Sequence, residues 1–148
     1  MGNFPILLSE SILLHAETSK DSSSLRRELY FIKTEKLESY LDTDELKSVF
    51  WINIYNAYAI IISKETTETE TVFKSKRIKV GHNAFSLDDI EFKILRLNNR
   101  NLLRRFLDRS FCSFYIRKLA LEKADYSLKT MLDRTPLISG NLPNNCTM

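Results

Sequence analysis

The sequence predicts an α+β fold that is predominantly helical, with a long buried central helix beside a short β-hairpin. Glycine and proline number only 3 each in the chain, which disfavours a turn-rich all-β fold because tight turns depend on these residues. Leucine, isoleucine, lysine, arginine and glutamate are abundant, and most of them favour helices. The length of 148 residues predicts a single domain that spans residues 1–148.

The central helix is predicted from the longest apolar run, Val49–Ile62. Trp51 and Tyr55 recur at helical spacing, and the run is apolar on nearly every face, as in a buried helix. The run also contains Asn53 and Asn56, and an unpaired buried amide costs about 1–3 kcal/mol. We therefore expect Asn53 and Asn56 to be structural clamps that bind neighbouring backbone. The alternative is that one of the amides points into a cleft.

Three shorter helices are predicted before the central helix, at residues 9–18, 25–32 and 36–40. Ser9, Thr34 and Thr43 stand before the first, the third and the central helix. Hydroxyl residues are preferred at such positions because they accept hydrogen bonds from the free backbone N–H groups of the first turn. A polar break at residues 20–24 separates the first two helices.

The β-hairpin is predicted after a threonine-rich surface loop at residues 64–71. Residues 77–80 alternate basic and apolar side chains, so the first strand should carry one basic face. Residues 81–83, Gly-His-Asn, are typical of a turn, and residues 84–85 begin the second strand. His82 is therefore expected to be exposed.

Ser86 begins the strongest local signal in the chain, a helix that is predicted to run to Arg96. Ser86 is a preferred N-cap, and carboxylates follow it in the first turn, where they suit the helix dipole. Asp88 and Glu91 stand three residues apart on one face, a spacing also open to acid–base pairs and metal ligands. Because no histidine lies nearby to complete such a site, the capping interpretation is favoured. No metal and no cofactor is predicted.

Two basic segments, residues 74–79 and 100–118, carry the candidate binding residues. They are Lys76, Arg77, Lys79, Arg104 and Arg105. Aromatic residues are interleaved with the charges of the second segment, and this combination is found in proteins that bind single-stranded nucleic acid. A solvated helix face above core aromatics is the commoner arrangement. Since the formal net charge is only +3, no specific nucleic-acid partner is expected, and the partner is left open.

The C-terminal third is predicted to contain a helix over residues 99–123 and a strand over residues 125–132. Residues 136–148 hold two prolines, one glycine and three asparagines, and chain ends of this composition are commonly mobile. We therefore expect this segment to be a mobile tail.

The chain is expected to be soluble and cytoplasmic. Cys112 and Cys146 follow no metal-binding or disulfide spacing, which favours a reducing compartment. The first residues lack the basic segment and the cleavage site of a signal peptide. The longest apolar run is shorter than the roughly 18 residues that a membrane helix needs, so no membrane association is predicted.

Three features together resemble the domain of unknown function 547 (DUF547) family. Phe50–Ala57, FWINIYNA, resembles the central-helix signature of that family. Ser86–Glu91, SLDDIE, together with residues 94–96, resembles its second signature. The third feature is the spacing of the two signatures, with a basic hairpin just before the second. The resemblance covers about residues 9–126.

This resemblance implies a cysteine-based, papain-like hydrolase site, but the chain departs from the family pattern at the reactive positions. The pattern has a histidine after the glutamate of the second signature, then an arginine-isoleucine-histidine step and an asparagine-cysteine-glycine motif. In this register the two histidine positions are Phe92 and Lys129, and the first cysteine position is Arg134. Glu91 remains, and Cys146 resembles the cysteine motif but stands too late in the chain.

The leading hypothesis is therefore a non-catalytic, degenerate or truncated member of that family. The first alternative is a cysteine-dependent hydrolase that uses Cys146 or Cys112. The second is a module that binds nucleic acid or an acidic partner through residues 74–79 and 100–118.

Overall fold

The computed structural model describes residues 3–65, 72–97 and 118–139. Within these ranges the fold is the predicted one, mainly helical with one antiparallel two-stranded hairpin. The helices and strands are α1 (Phe4–Glu17), α2 (Ser23–Phe31), α3 (Thr34–Tyr40), α4 (Asp44–Glu65), β1 (Ile78–Val80), β2 (Asn83–Phe85), a π-helical segment (Asp89–Ile94), a 3-10 helix (Tyr126–Met131) and α5 (Thr135–Ser139).

The 22-residue helix α4 is the centre of the fold, as the sequence predicts. Phe50, Trp51, Ile54 and Tyr55 are fully buried in a core to which most of the other described elements contribute. Helix α1 packs along α4 over much of its length. A helix buried on so many faces derives its stability from packing more than from intrinsic propensity.

Helix α1 begins earlier than predicted, so Ser9 is not an N-cap. The side chain of Asn3 accepts a hydrogen bond from the backbone N–H of Ile6 at 3.3 Å, and Pro5 lies in the first turn. Asparagine at the cap with proline just inside the helix is a strong start signal. Ser9 lies within the helix, fully buried, and its hydroxyl donates to the carbonyl of Ile6 at 2.7 Å.

The capping prediction is wrong for Thr34 and confirmed for Thr43. Thr34 is the first residue of α3, and its hydroxyl donates to the carbonyl of Gly81 at 3.4 Å. Thr43 directly precedes α4, and its hydroxyl accepts from the backbone N–H of Leu46 at 3.2 Å. The hydroxyl of Thr34 therefore serves a long-range contact with the hairpin.

The hairpin turn is shorter than predicted, because Asn83 already belongs to β2. Gly81 and His82 form a two-residue turn, and both have positive φ, 58° and 67°. This is the backbone of the turns that match the twist of a hairpin. The N–H groups of these two residues donate to the carbonyls of Leu29 and Tyr30 at 3.0 and 2.7 Å. The turn thus satisfies free carbonyls at the end of α2.

Ser86 and Asp89 cap the next segment reciprocally. The N–H of Asp89 donates to the hydroxyl of Ser86 at 3.0 Å, and the N–H of Ser86 donates to the carboxylate of Asp89 at 2.9 Å. This is a capping box with aspartate at the third position. The predicted helix is present, but its winding over Asp89–Ile94 is π-helical. Arg96, with φ of 58°, lies just beyond its end.

The predicted strand over residues 125–132 is wrong, because Tyr126–Met131 is a 3-10 helix. The carboxylate of Asp125 accepts hydrogen bonds from the backbone N–H and the hydroxyl of Ser127 at 3.1 and 2.6 Å. Such local side-chain bonds favour a turn over an extended chain. Residues 136–139, predicted as the start of a mobile tail, belong to α5, and the buried Leu137 is part of the core.

Other predictions fall partly outside the described residues. Lys64 and Glu65, expected in a surface loop, end α4, and residues 66–71 of that loop are not described. Most of the helix predicted over residues 99–123 also lies outside the described ranges. No helix in those ranges combines the length and the apolar character that a membrane crossing requires.

Replacing the buried indole at the centre of α4 tests the core assignment. Trp51→Ala should lower the free energy of unfolding by about 3–5 kcal/mol, because it leaves a large cavity in a close-packed interior. Urea denaturation measures the loss. The matched control is Val49→Ala on the same helix, where the side chain is 43% exposed and the change should stay within about 0.5 kcal/mol. Equal midpoints for Trp51→Ala and the unmodified chain would contradict the assignment.

Candidate functional site

Glu91 is the centre of a buried polar cluster between α4, the π-helical segment and the loop that precedes α5. Its side chain is only 2% exposed. The hydroxyl of Tyr55, on α4, donates to one carboxylate oxygen of Glu91 at 3.2 Å. The guanidinium of Arg134 lies 3.9 Å from the other oxygen. The buried carboxylate therefore has a partner on each oxygen, as a carboxylate removed from water requires.

Arg134 closes the cluster on its solvent side. Its side chain is 41% exposed, and its guanidinium carbon lies 4.3 Å from the centre of the Phe73 ring. A cation over an aromatic face is held by the ring quadrupole as well as by any ion pair. Arg134 is thus oriented by Phe73 and Glu91 together.

Asn56 holds the loop that carries Arg134. Its amide nitrogen donates to the carbonyl of Met131 at 3.1 Å, and its amide oxygen accepts from the N–H of Asp133 at 2.8 Å. The amide thus binds neighbouring backbone through both of its polar atoms, immediately before Arg134. Tyr55, which directly precedes Asn56 on α4, contacts Glu91 itself. Two adjacent residues of α4 therefore build the cluster.

Asn53 binds a side chain where backbone was expected. Its amide nitrogen donates to the hydroxyl of Ser9 on α1 at 3.1 Å. Ser9 in turn donates to a backbone carbonyl of its own helix, so two successive hydrogen bonds link α4 to α1. Asn53 also borders a mainly apolar groove of about 470 Å³ between α4 and residues 121–131.

Burial and the charge of Glu91 shift the pKa of two neighbouring groups, Asp88 and Tyr55, in the same direction. Burial, and then the negative charge of Glu91, raise the pKa of Asp88 to about 6, although Arg134 opposes the shift. Burial and the same carboxylate raise the pKa of Tyr55 far above its ordinary value. Tyr55 therefore remains a hydrogen-bond donor at every physiological pH.

Asp89, which lies between Asp88 and Glu91 in the chain, has a pKa shifted in the opposite direction. Burial alone would raise its pKa, but hydrogen bonds from Lys76 and the backbone of Ser86, with the charge of Lys93, lower it. The ammonium of Lys76 lies 2.7 Å and that of Lys93 3.1 Å from its carboxylate. Asp89 is thus an ionised anchor that two lysines share.

A second candidate site is an open groove of about 680 Å³ between α2, the end of α4 and β1, which we call the basic groove. Its lining residues are Arg26, Arg27, Tyr30, Phe31, Tyr58, Ile61, Ile62, Glu65, Lys76, Arg77 and Lys79. Three of the predicted binding residues, Lys76, Arg77 and Lys79, are among them. The other two, Arg104 and Arg105, lie outside the described residues.

An aromatic cluster stands at the α2 side of the basic groove. The ring of Phe31 lies 5.0 Å from that of Tyr30 and 5.5 Å from that of His82, both nearly edge-on. Phe31 is nevertheless 58% exposed. His82 is exposed at the hairpin turn, as the sequence predicts. Edge-to-face neighbours fix the orientation of the Phe31 ring.

Among the described residues, neither Phe92 nor Lys129 is a hydrogen-bond or ion-pair partner of Glu91. Phe92 is half-buried in the π-helical segment, and Lys129 is exposed on the 3-10 helix. His15 is bonded to the carbonyl of Ser11 in its own helix at 2.8 Å. Cys112 and Cys146 lie outside the described residues. Within the described ranges, no group of three histidine, cysteine or acidic side chains is placed to hold a metal ion.

Three features of the candidate sites are not predicted from the sequence. Tyr55 was assigned to the core only, and Arg134 was interpreted only as the loss of a cysteine. The aromatic face of α2 was not singled out, although Arg26 and Tyr30 stand four residues apart, as do Arg27 and Phe31. That spacing on a helix brings side chains together and was a usable signal. The contact of Arg134 with Glu91 had no local signal, because 43 residues separate them.

Comparison with known proteins gives one match. The family model described as a protein of unknown function, DUF547, matches residues 38–139. The match runs from α3 to α5 and includes Tyr55, Glu91 and Arg134. Neither the search of the curated proteins nor that of the solved structures found a match.

The pKa of Asp88 makes a prediction for stability against pH. Because that pKa is raised in the folded chain, folding disfavours the ionised form, and stability falls as pH rises from about 4 through about 6. Asp88→Asn should therefore be more stable than the unmodified chain at pH 7, by about 1 kcal/mol after solvent screening, and equal to it near pH 3.5. Thermal melts across pH measure the difference. The control Asp42→Asn, at an exposed position, should show no such divergence, and parallel curves for Asp88→Asn would contradict the prediction.

Proposed function

The chain belongs to the DUF547 family, whose function is unknown, and we propose that it is a non-catalytic member that acts by binding a partner. The observation that carries the proposal is the position of Arg134. In the register of the family pattern this residue occupies the place of the cysteine nucleophile, and here its guanidinium lies 3.9 Å from the buried Glu91.

The side chains at the expected reactive positions support the absence of thiol chemistry. Arginine stays protonated in proteins, so Arg134 is neither a nucleophile nor a base. The phenyl ring of Phe92 carries no exchangeable proton. An exposed lysine such as Lys129 is ordinarily cationic at neutral pH and is a poor base. Cysteine catalysis requires a base within hydrogen-bond reach of the thiol, and these positions supply none.

The role proposed for Glu91 is structural. A buried carboxylate is costly unless it is paired and hydrogen-bonded, and Tyr55 and Arg134 provide both kinds of partner. The ion pair joins the π-helical segment to the loop before α5, while the hydrogen bond joins that segment to α4. The inherited site thereby becomes a fastening between segments that are distant in sequence.

A binding role is supported by the basic groove. Five basic side chains line it together with one acidic side chain, Glu65. Such a concentration of one sign of charge in a concave surface raises the local concentration of anionic partners. We further propose that the protein is cytoplasmic, which suits its two cysteines without disulfide spacing.

The structural role of the ion pair predicts coupling between its members. Arg134→Met should lower the free energy of unfolding by about 1–2 kcal/mol, since it leaves a buried carboxylate unpaired while solvent screens part of the cost. Adding Glu91→Gln should restore part of this loss, because the amide carries no charge. A double-mutant cycle in urea measures the coupling. Additive effects of the two changes would contradict the proposed fastening.

Thiol reactivity separates the proposed function from the hydrolase alternative. The rate of alkylation by iodoacetamide should rise with a midpoint near pH 8.5 for both cysteines, because no partner is expected to stabilise a thiolate. Cys112→Ser and Cys146→Ser assign the two rates. A midpoint at least about one pH unit lower that disappears in one of these variants would reveal an activated thiolate and support the hydrolase.

A further inference from the structure

We infer that the basic groove binds single-stranded nucleic acid, with backbone phosphates along its basic rim and one base stacked on Phe31. This inference rests on the proposed binding role, and it adds the chemical class of the partner. Three observations carry it: the charge of the groove, the exposed ring and their relative placement.

The charge of the basic groove is only partly neutralised by the protein itself. Arg77 pairs with Glu65, and Lys76 pairs with Asp89 at 2.7 Å. Among the described residues, no ion pair involves Arg26, Arg27 or Lys79. Three cations therefore have no ion-pair partner there, although the Nε of Arg26 donates to the hydroxyl of Ser22 at 3.0 Å. A phosphate at every nucleotide matches a set of such cations.

The cations come from two elements that face each other across the groove. Arg26 and Arg27 lie on α2, one helical turn before Tyr30 and Phe31. Lys79 projects from the exposed face of β1, while its neighbours Ile78 and Val80 are buried. A strand in the groove would thus contact positive charge on both sides, with the aromatic cluster beside it.

Phe31 supplies the feature that charge alone does not explain. An aromatic side chain that is 58% exposed is unfavourable in water, and here it projects beside arginine in a groove. Because every base has a π face, an exposed aromatic ring next to cations is the usual platform for unpaired bases. The ring lines an open groove and is not enclosed in a cavity, so its face remains accessible to a flat base.

The groove also sets the expected mode of binding. Its volume of about 680 Å³ is typical of small-ligand sites and therefore holds only a short stretch of a strand. The contacts proposed are with phosphates and with the face of a base. Such contacts read no base edges, so the affinity should depend on single-strandedness and on salt, with little dependence on sequence.

Fluorescence anisotropy of the full chain tests the inference with four probes at equal concentration. The probes are a labelled oligothymidylate of 12 nucleotides, the corresponding oligouridylate, a 12-base-pair DNA duplex and a polyglutamate peptide of 12 residues. We expect both single strands to bind more tightly than the duplex and the peptide. The logarithm of the affinity should fall linearly with the logarithm of the salt concentration, with a slope of about −0.7 for each phosphate contact.

Variants assign the binding to the groove. Phe31→Ala should weaken binding of the single strands about tenfold, in line with the loss of one stacked base. Tyr126→Ala is the matched control, because Tyr126 is 57% exposed outside the groove. Lys79→Gln should reduce the salt slope by about 0.7, whereas Lys129→Gln, at an exposed position on the 3-10 helix, should leave it unchanged.

The outcomes distinguish this inference from the proposed function. Equal binding of polyglutamate and the single strands would overturn the assignment to nucleic acid while leaving a binding role in place. An unchanged affinity in Phe31→Ala would overturn the stacking of a base on Phe31, and with it the inference as stated. Failure of all four probes to bind at low salt would overturn both. Tighter binding of the duplex would also overturn the inference, because stacked bases cannot lie on Phe31.

Discussion

The fold depends on one constraint, that the polar side chains of α4 that lie in the core or at its edge must find hydrogen-bond partners there. Asn53 meets this constraint on α1, Tyr55 on the π-helical segment and Asn56 on the loop before α5. Each of these side chains therefore ties a different part of the chain to the same helix. The indole N–H of Trp51 has no hydrogen-bond partner within the described residues, so its burial is sustained by apolar packing. Hydrophobic burial places α4 at the centre of the fold, and its polar side chains bind the segments packed around it.

The Glu91 cluster follows from that arrangement. Tyr55 and Asn56 are adjacent on α4, and one contacts the carboxylate while the other holds the backbone that presents Arg134. The carboxylate is too deeply buried to be left without a positive partner. The guanidinium of Arg134, 3.9 Å from the carboxylate, supplies the counter-charge that the cluster needs. These contacts together join α4, the π-helical segment and the loop before α5.

The features that the sequence predicts correctly are local. The features that it does not predict depend either on a local side-chain hydrogen bond that overrides the hydrophobic pattern or on a long-range contact. The hydrophobic run of α4, the alternating strand and the cap at Ser86 depend on neighbours within a few residues, and they are found where expected. The start of α1 differs from the hydrophobic pattern because Asn3 caps the helix and Pro5 lies in its first turn. The 3-10 helix replaces the predicted strand because the Asp125 side chain caps it. The contact of Arg134 with Glu91, and the facing of α2 with β1 across the groove, arise only when distant segments pack. No periodicity in the sequence encodes them.

The capping box at Ser86 connects the two candidate sites. Asp89 closes the cap and at the same time anchors Lys76 at the edge of the basic groove. Two residues later in the same segment, Glu91 enters the buried cluster. Three consecutive buried residues, Asp89, Ile90 and Glu91, cannot all face one side of an ordinary helix, and the wider π-helical winding is commonly found where such a segment serves a site. The same short segment therefore contributes Glu91 to the buried cluster on one side and holds Lys76 at the edge of the groove on the other. The edge of the groove and the core thus share one anchor, the carboxylate of Asp89.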